Sequence, residues 1–255
     1  MFFANKIKLA LLAGFIFLFA GCGHHAQPVR SSISFFRNTD AEHNLLLSSA
    51  KVLIEKTDGN GSTCSAFPYD LRKGKYLFVT SAHCVAKFDV GKEKIKIKAE
   101  SIYLHFEFNN FLKENLFRAK IVAVGYKPIG DDFAILEAKI PMIIPVLYLS
   151  EKKAKIGEYI LNVGYPKEAR GHIFYGMVKH FGKIKYQTSF MVGGIKNGKG
   201  ASGSAVMSVS SGRVLGILSS QLPIETGLEL IFINADKFRK FEKRVMDGKY
   251  PYFKK

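Results

Sequence analysis

Only three cysteines occur among 255 residues, and acidic side chains are outnumbered 21 to 38 by lysine and arginine. No apolar run reaches the roughly 20 residues that a membrane helix needs. The one candidate, residues 9–20, is shorter and follows Lys6 and Lys8, which is the pattern of a secretory leader rather than a span. The histidines exclude a metal centre: His24 and His25 are merely adjacent, and His43, His105, His172 and His180 lack ligand spacing to other His, Cys or carboxylate residues. No cofactor motif and no internal repeat is present.

The shortage of acid leaves a formal net charge of +17, about +15 once Lys6 and Lys8 depart with the leader. The lysines are spread along the chain, so they read first as a solvated surface. The functional alternative is attraction to anionic envelope lipid or polysaccharide, or to acidic substrates. Charge without a recognisable binding module does not make a nucleic-acid protein.

What remains is material for β structure. A leader of 21 residues leaves 234, the upper end of one domain or enough for two small barrels, with no stretch left for a PDZ-like module. Short segments rich in Val, Ile, Phe and Tyr (75–80, 95–98, 102–108, 119–124 and 213–219) are punctuated by turn residues, and those at 95–98 and 103–108 alternate apolar and polar. The expectation is an all-β chain of two antiparallel barrels, 45–142 and 143–233, joined near Pro141 to Pro145. Residues 1–21 would be the leader and 22–44 a polar tether. In 234–255, Asn234 or Asp236 would cap a helix reaching about Met246, with Phe238, Phe241 and Val245 on one face.

Three segments carry chemistry: Thr80-Ser81-Ala82-His83-Cys84, then Asp131-Asp132-Phe133-Ala134-Ile135-Leu136, then Gly200-Ala201-Ser202-Gly203-Ser204-Ala205. A serine hydroxyl is a weak nucleophile until an imidazole takes its proton, and a buried carboxylate must fix the tautomer of that imidazole. The order His, Asp, Ser differs from the Asp, His, Ser and Ser, acid, His orders of unrelated scaffolds. Gly-x-Ser-Gly-Ser also lacks the second glycine of a nucleophile elbow.

In these motifs and their order, residues 45–235 resemble the trypsin-like (chymotrypsin-fold) serine peptidases. Leu161-Asn162-Val163-Gly164-Tyr165-Pro166 and Val214-Leu215-Gly216-Ile217-Leu218-Ser219 look like the same regions of compact bacterial V8-like and trypsin-like members. The resemblance implies two six-stranded barrels with the active site between them. It implies His83 as general base, Asp132 as orienting acid, Ser202 as nucleophile, and the N–H groups of Gly200 and Ser202 as an oxyanion hole. Asp131 competes as the acid, but the family pattern Asp-x-Ala-x-Leu fits Asp132. Ala201 stands where many digestive relatives carry an activating aspartate, so no zymogen switch of that kind is expected.

The resemblance also implies a Cys64–Cys84 disulfide beside the base, and a primary pocket lined by residues 195–199 and 219–221. Lys196, Ser219, Ser220 and Gln221 are its substrate-binding candidates, with Lys196 suiting an acidic side chain and Ser219 also supporting Asp132. The third cysteine falls in Phe19-Ala20-Gly21-Cys22, which resembles a bacterial lipobox and makes Cys22 a lipidation site. The alternative is ordinary cleavage near Ala20 or Ala26 and release. The expected protein is a monomeric exported endopeptidase acting on protein or peptide substrates, held by a lipid anchor in a bacterial envelope at the outer membrane or periplasmic face. It would need no cofactor and no metal. The competing expectation is a catalytically silent envelope binding or scaffold protein on the same fold.

Overall fold

Apolar alternation with short turns, and no long amphipathic stretch before the C-terminus, favours strands that close on themselves. The computed structural model, which describes residues 39–92, 94–107, 116–166, 171–181, 187–193, 199–224 and 227–249, has that form. Helix α1 (Thr39–Ser48) leads into β1 (Ala50–Lys56), β2 (Gly61–Arg72) and β3 (Lys75–Thr80). One helical turn, α2 (Ala82–Val85), follows, then β4 (Ala86–Asp89), β5 (Lys94–Ile97), β6 (Ala99–His105) and β7 (Leu116–Val124). A 3-10 turn at Lys127–Ile129 precedes β8 (Ala134–Ala138). The second half holds β9 (Tyr159–Gly164), β10 (His172–Phe181), β11 (Gln187–Gly193), β12 (Ala205–Ser208), β13 (Val214–Ile224), β14 (Gly227–Asn234) and α3 (Ala235–Met246).

Two closed six-stranded antiparallel barrels result, in the orders β1-β2-β3-β8-β7-β6 and β10-β11-β14-β13-β12-β9, with β4 and β5 forming a separate ribbon. Closure removes the unpaired edges that would otherwise invite association. In β1 only Ala50, Val52 and Ile54 turn fully inward, whereas residues 64–69 of β2 and 76–80 of β3 are buried on both faces. These central strands line their own barrel with one face and meet the other barrel with the opposite one, which is why they read as continuous apolar runs. Phe67, Leu77, Val79 and Phe133 thus pack against Leu161, Val163, Ile217 and Ile233 across the barrel interface.

The crossing segment is fastened to the first barrel: Ile144 N–H donates to the Tyr76 hydroxyl (3.0 Å) and Leu147 N–H to the Pro68 carbonyl (2.9 Å). Helix α3 starts after Asn234, as its pattern predicts, but the Asn234 side chain makes no capping bond. Phe238 and Phe241 are fully buried against Phe133.

The polar tether expected to run to residue 44 is corrected at its end. Residues from Thr39 onward are helical, because Ala41 and Leu45 are buried in the core between the barrels and Ser48 Oγ donates to the Pro145 carbonyl (2.6 Å). The leader and Cys22 lie outside the described residues.

Candidate active site

His83 sits on the single turn α2, clamped from both ends. Before it, Ser81 Oγ donates to the Leu218 carbonyl of the second barrel (2.9 Å). After it, Cys84 is bridged to Cys64 on β2, with Cα atoms 6.3 Å apart. Short helical turns have little stability of their own, so these tethers determine where the imidazole stands.

Asp132 follows the 3-10 turn and Gly130, whose φ of +92° reverses the chain. Its side chain is 2% exposed, against 30% for His83. His83 Nδ1–H donates to Asp132 Oδ2 (2.8 Å) with Oδ1 at 3.0 Å, and the His83 backbone N–H also donates to Oδ1 (3.0 Å). Ser219 Oγ donates to Oδ2 (2.5 Å), and Lys127 Nζ lies 3.4 Å from the same oxygen.

Burial alone would push the Asp132 carboxyl up. The hydrogen bond and charge of His83, the charge of Lys127 and the Ser219 hydroxyl outweigh it and hold the group at about 2. An ionised carboxylate only accepts, so Nδ1 must carry the imidazole proton and Nε2 is left as the acceptor. Asp131, the competing acid, turns to the opposite side, where Arg244 Nη2 of α3 lies 2.6 Å from its Oδ2.

Ser202 lies in a turn held by buried polar groups. Ser204 Oγ donates to the Ala201 carbonyl (2.7 Å) and accepts from Asn162 Nδ2 (2.7 Å), while Gly203 N–H donates to the Leu218 carbonyl (2.7 Å). Gly203 has φ +91°, and a Cβ there would collide with the Ser65 carbonyl oxygen and Thr80 Oγ1 and stand 2.9 Å from Ser81 N. Glycine is required both for its conformation and for close approach to the segment carrying His83.

Ser202 Oγ points to the Ser219 carbonyl at 3.5 Å and, among the described residues, makes no hydrogen bond to His83. The structure therefore assembles the His83–Asp132 half of the constellation and places Ser202 beside Ser219. Among the described residues the N–H groups of Gly200 and Ser202 have no acceptor.

The specificity candidates are less completely placed. Ser219 is buried and Ser220 half-buried on β13. Gln221 pairs with Leu230 through the backbone, its side chain lying outside the described residues, as does all of Lys196.

Four groups at the site went unread in the sequence. Lys98 Nζ donates to the His83 carbonyl (2.6 Å) and is lowered chiefly by burial, then by Lys56 and Lys87. Lys127, Ser81 and Ser65 are the others. Nothing in local pattern separates Lys98 and Lys127 from the many other lysines, and serines reveal a role only when their partners across the cleft are known.

Residues 64–217 match the trypsin-like peptidase domain family. No curated protein matches the chain in sequence. Among solved structures, the serine endoprotease from Yersinia pestis is similar with TM-score 0.61 and 19% identity, over 82% of this chain and 66% of that one. The HtrA-type protease AlgW, solved with a tripeptide, gives TM-score 0.59 and 18% identity over 82% of this chain and 64% of that one. The chain thus spans just under two thirds of the length of either structure, and at these identities the likeness speaks to fold. With the family match running from Cys64 in the first barrel to Ile217 in the second, over more than half of the chain, the chain belongs to the trypsin-like peptidase domain family, serine peptidases of the chymotrypsin fold.

Proposed function

We propose that the protein is an exported serine endopeptidase that cleaves peptide bonds through Ser202, His83 and Asp132. The observation that carries this reading is the buried Asp132 carboxylate on His83 Nδ1 at 2.8 Å, which supports Nε2 as the base that would act on Ser202. The chemistry requires Ser202 Oγ to give up its long contact with the Ser219 carbonyl for one with Nε2. Contacts of this kind commonly tighten only when substrate is bound.

In this reading Ser202 Oγ attacks the scissile carbonyl as Nε2 takes its proton, and Asp132 stabilises the imidazolium that results. The N–H groups of Gly200 and Ser202 receive the developing oxyanion. His83 then returns the proton to the leaving amine, and water enters by the same route to release the acyl group. Lys196, Ser219, Ser220 and Gln221 would contact the acyl side of the substrate.

The leader (Lys6, Lys8 and residues 9–20) would direct export to a bacterial cell envelope, and lipid on Cys22 would anchor the chain there. The Cys64–Cys84 bridge supports an oxidising compartment.

Labelling of the mature protein with a fluorophosphonate, with the adduct located by mass spectrometry, tests the chemistry. Modification of Ser202 that is lost in Ser202→Ala and His83→Ala is expected, and a folded, oxidised protein that fails to label would sink the reading. Mass spectrometry of Cys22, beside a Cys22→Ser variant that should leave the membrane fraction, tests the anchor.

A further inference from the structure

Ser65 follows Cys64 on β2 and is completely buried, and each of its polar atoms is engaged. Its N–H donates to the Ser202 carbonyl (2.8 Å) and its carbonyl accepts from Thr80 Oγ1 (2.7 Å). Its hydroxyl donates to the Gly200 carbonyl (2.9 Å) and accepts from Tyr165 N–H (3.1 Å). The direction is unambiguous, because a carbonyl can only accept and a backbone N–H can only donate.

These bonds fall on the first and last residues of the three-residue segment whose N–H groups would form the oxyanion hole. Gly200 has φ +103°, a conformation open to glycine that leaves the adjoining peptide planes easily turned. The middle residue, Ala201, is held by complete burial. Resting on the peptidase reading above, we propose that Ser65 is the positioning residue of the oxyanion loop: the Gly200 and Ser202 carbonyls that it clamps lie in the peptide planes adjoining those of the two donor N–H groups, so the clamp fixes the backbone on which the donors turn as charge develops.

Its place in the chain gives the clamp a reference point. Cys64 is bonded to Cys84, the neighbour of His83, while Ser65 holds the loop of Ser202. Two consecutive residues of β2 therefore locate the base and the oxyanion loop against one strand. Tyr165 extends the support, its ring buried and its hydroxyl donating to the Ser49 carbonyl (2.9 Å).

Removing the hydroxyl leaves the backbone bond to Ser202 intact but frees the Gly200 carbonyl and takes away the oxygen to which Tyr165 N–H donates. An oxyanion donor is worth roughly 100- to 1,000-fold in kcat, so loss of its aim should cost about 10- to 100-fold. The test measures kcat and KM on a fluorogenic peptide, together with inhibition by a peptide boronic acid, whose tetrahedral adduct uses the same donors. Ser65→Ala is expected to lower kcat about 10- to 100-fold with KM within about twofold, and to weaken the boronic acid by a similar factor.

Ser65→Thr and Ser65→Val have one shape and differ in the hydroxyl, so their ratio gives the same reading at constant volume and serves if the alanine variant does not fold. Thr should recover most of the activity that Val loses. Equal kcat for Thr and Val, or an alanine variant that melts earlier yet retains kcat and boronic acid affinity, would reduce Ser65 to a structural residue and overturn the proposal. A wild-type protein inert to peptide and fluorophosphonate alike would instead refute the peptidase reading.

Discussion

Gly203→Ala tests whether the Ser202 turn and the His83 segment are held together by close approach. Two penalties add. A residue with a Cβ at φ +91° costs about 1–3 kcal/mol in backbone strain. The methyl would also be driven into the Ser65 carbonyl and Thr80 Oγ1, with Ser81 N at 2.9 Å. Two of these atoms are backbone, and Thr80 Oγ1 is committed to its bond with the Ser65 carbonyl (2.7 Å), so none can swing aside. Overpacking of this kind costs about 1–3 kcal/mol more, for a loss on the order of 2–6 kcal/mol. Gly59→Ala is the control: φ is +78° but nothing lies within 4 Å, so only the strain should appear, about 1–2 kcal/mol. Urea unfolding of wild type and both variants gives the difference at matched m-values. Because relief of the collision requires the turn to withdraw from β2 and Ser81, Gly203→Ala should also slow fluorophosphonate labelling at least about 100-fold under conditions where it remains folded. Equal destabilisation by the two substitutions, with labelling unchanged, would refute the reasoning.

The disulfide closes a separation of 20 residues, so Cys64→Ala with Cys84→Ala should lower unfolding free energy by about 3 kcal/mol and reduce labelling, as read by urea melts with and without reductant. Asp132 is held at about 2 against 3.8 for the free group. A lowered value means stability that is present above about pH 4 and lost as the pH falls through about 2, on the order of 2 kcal/mol. Parallel stability curves for wild type and Asp132→Asn between pH 5 and 2 would contradict that assignment. Ser219→Ala removes the 2.5 Å hydrogen bond from the hydroxyl to the buried carboxylate, a charge-assisted bond worth about 1.5–3 kcal/mol. It should lower kcat by roughly tenfold or more while KM changes little, and a variant with unchanged kcat would show that His83 and Lys127 suffice to hold Asp132.

The barrels and the order of the site were legible because they rest on local signals. Alternation marks strands wherever one face is wet, and the strand at 75–80 was readable to the residue because it is short, apolar and flanked by Gly74 and by the Ser81-Ala82-His83 motif. Ends of longer strands were not: β13 continues to Ile224, past the expected 219, because pairing with β14 rather than composition sustains it. Helix α1 was hidden for a related reason. Ala41 and Leu45 are four apart, but the neighbouring Leu46 and Leu47 blur the stripe, and burial between the barrels decides the conformation. The choice of Asp132 over Asp131 came from resemblance alone. Charge could not distinguish them, since both are buried and each has a cationic neighbour, Lys127 for one and Arg244 for the other.

Three buried serines at the site share a physical character that bears on how such a cleft is built. Phe67, Val79, Phe133, Leu161 and Ile217 supply the area that holds the barrels together, but apolar contact is non-directional and tolerates sliding. Across the same interface, Ser65 bonds to Gly200, Ser81 to Leu218 and Ser219 to Asp132, all from buried hydroxyls. Hydrogen bonds weaken steeply off axis, so these three small side chains set the register that the apolar surface leaves loose. Each costs little volume and carries no charge, and each ties the catalytic segment of one barrel to the other. Their removal should therefore cost more in turnover than in stability, the reverse of truncating Phe67 or Phe133, where about 3–5 kcal/mol of stability is at stake.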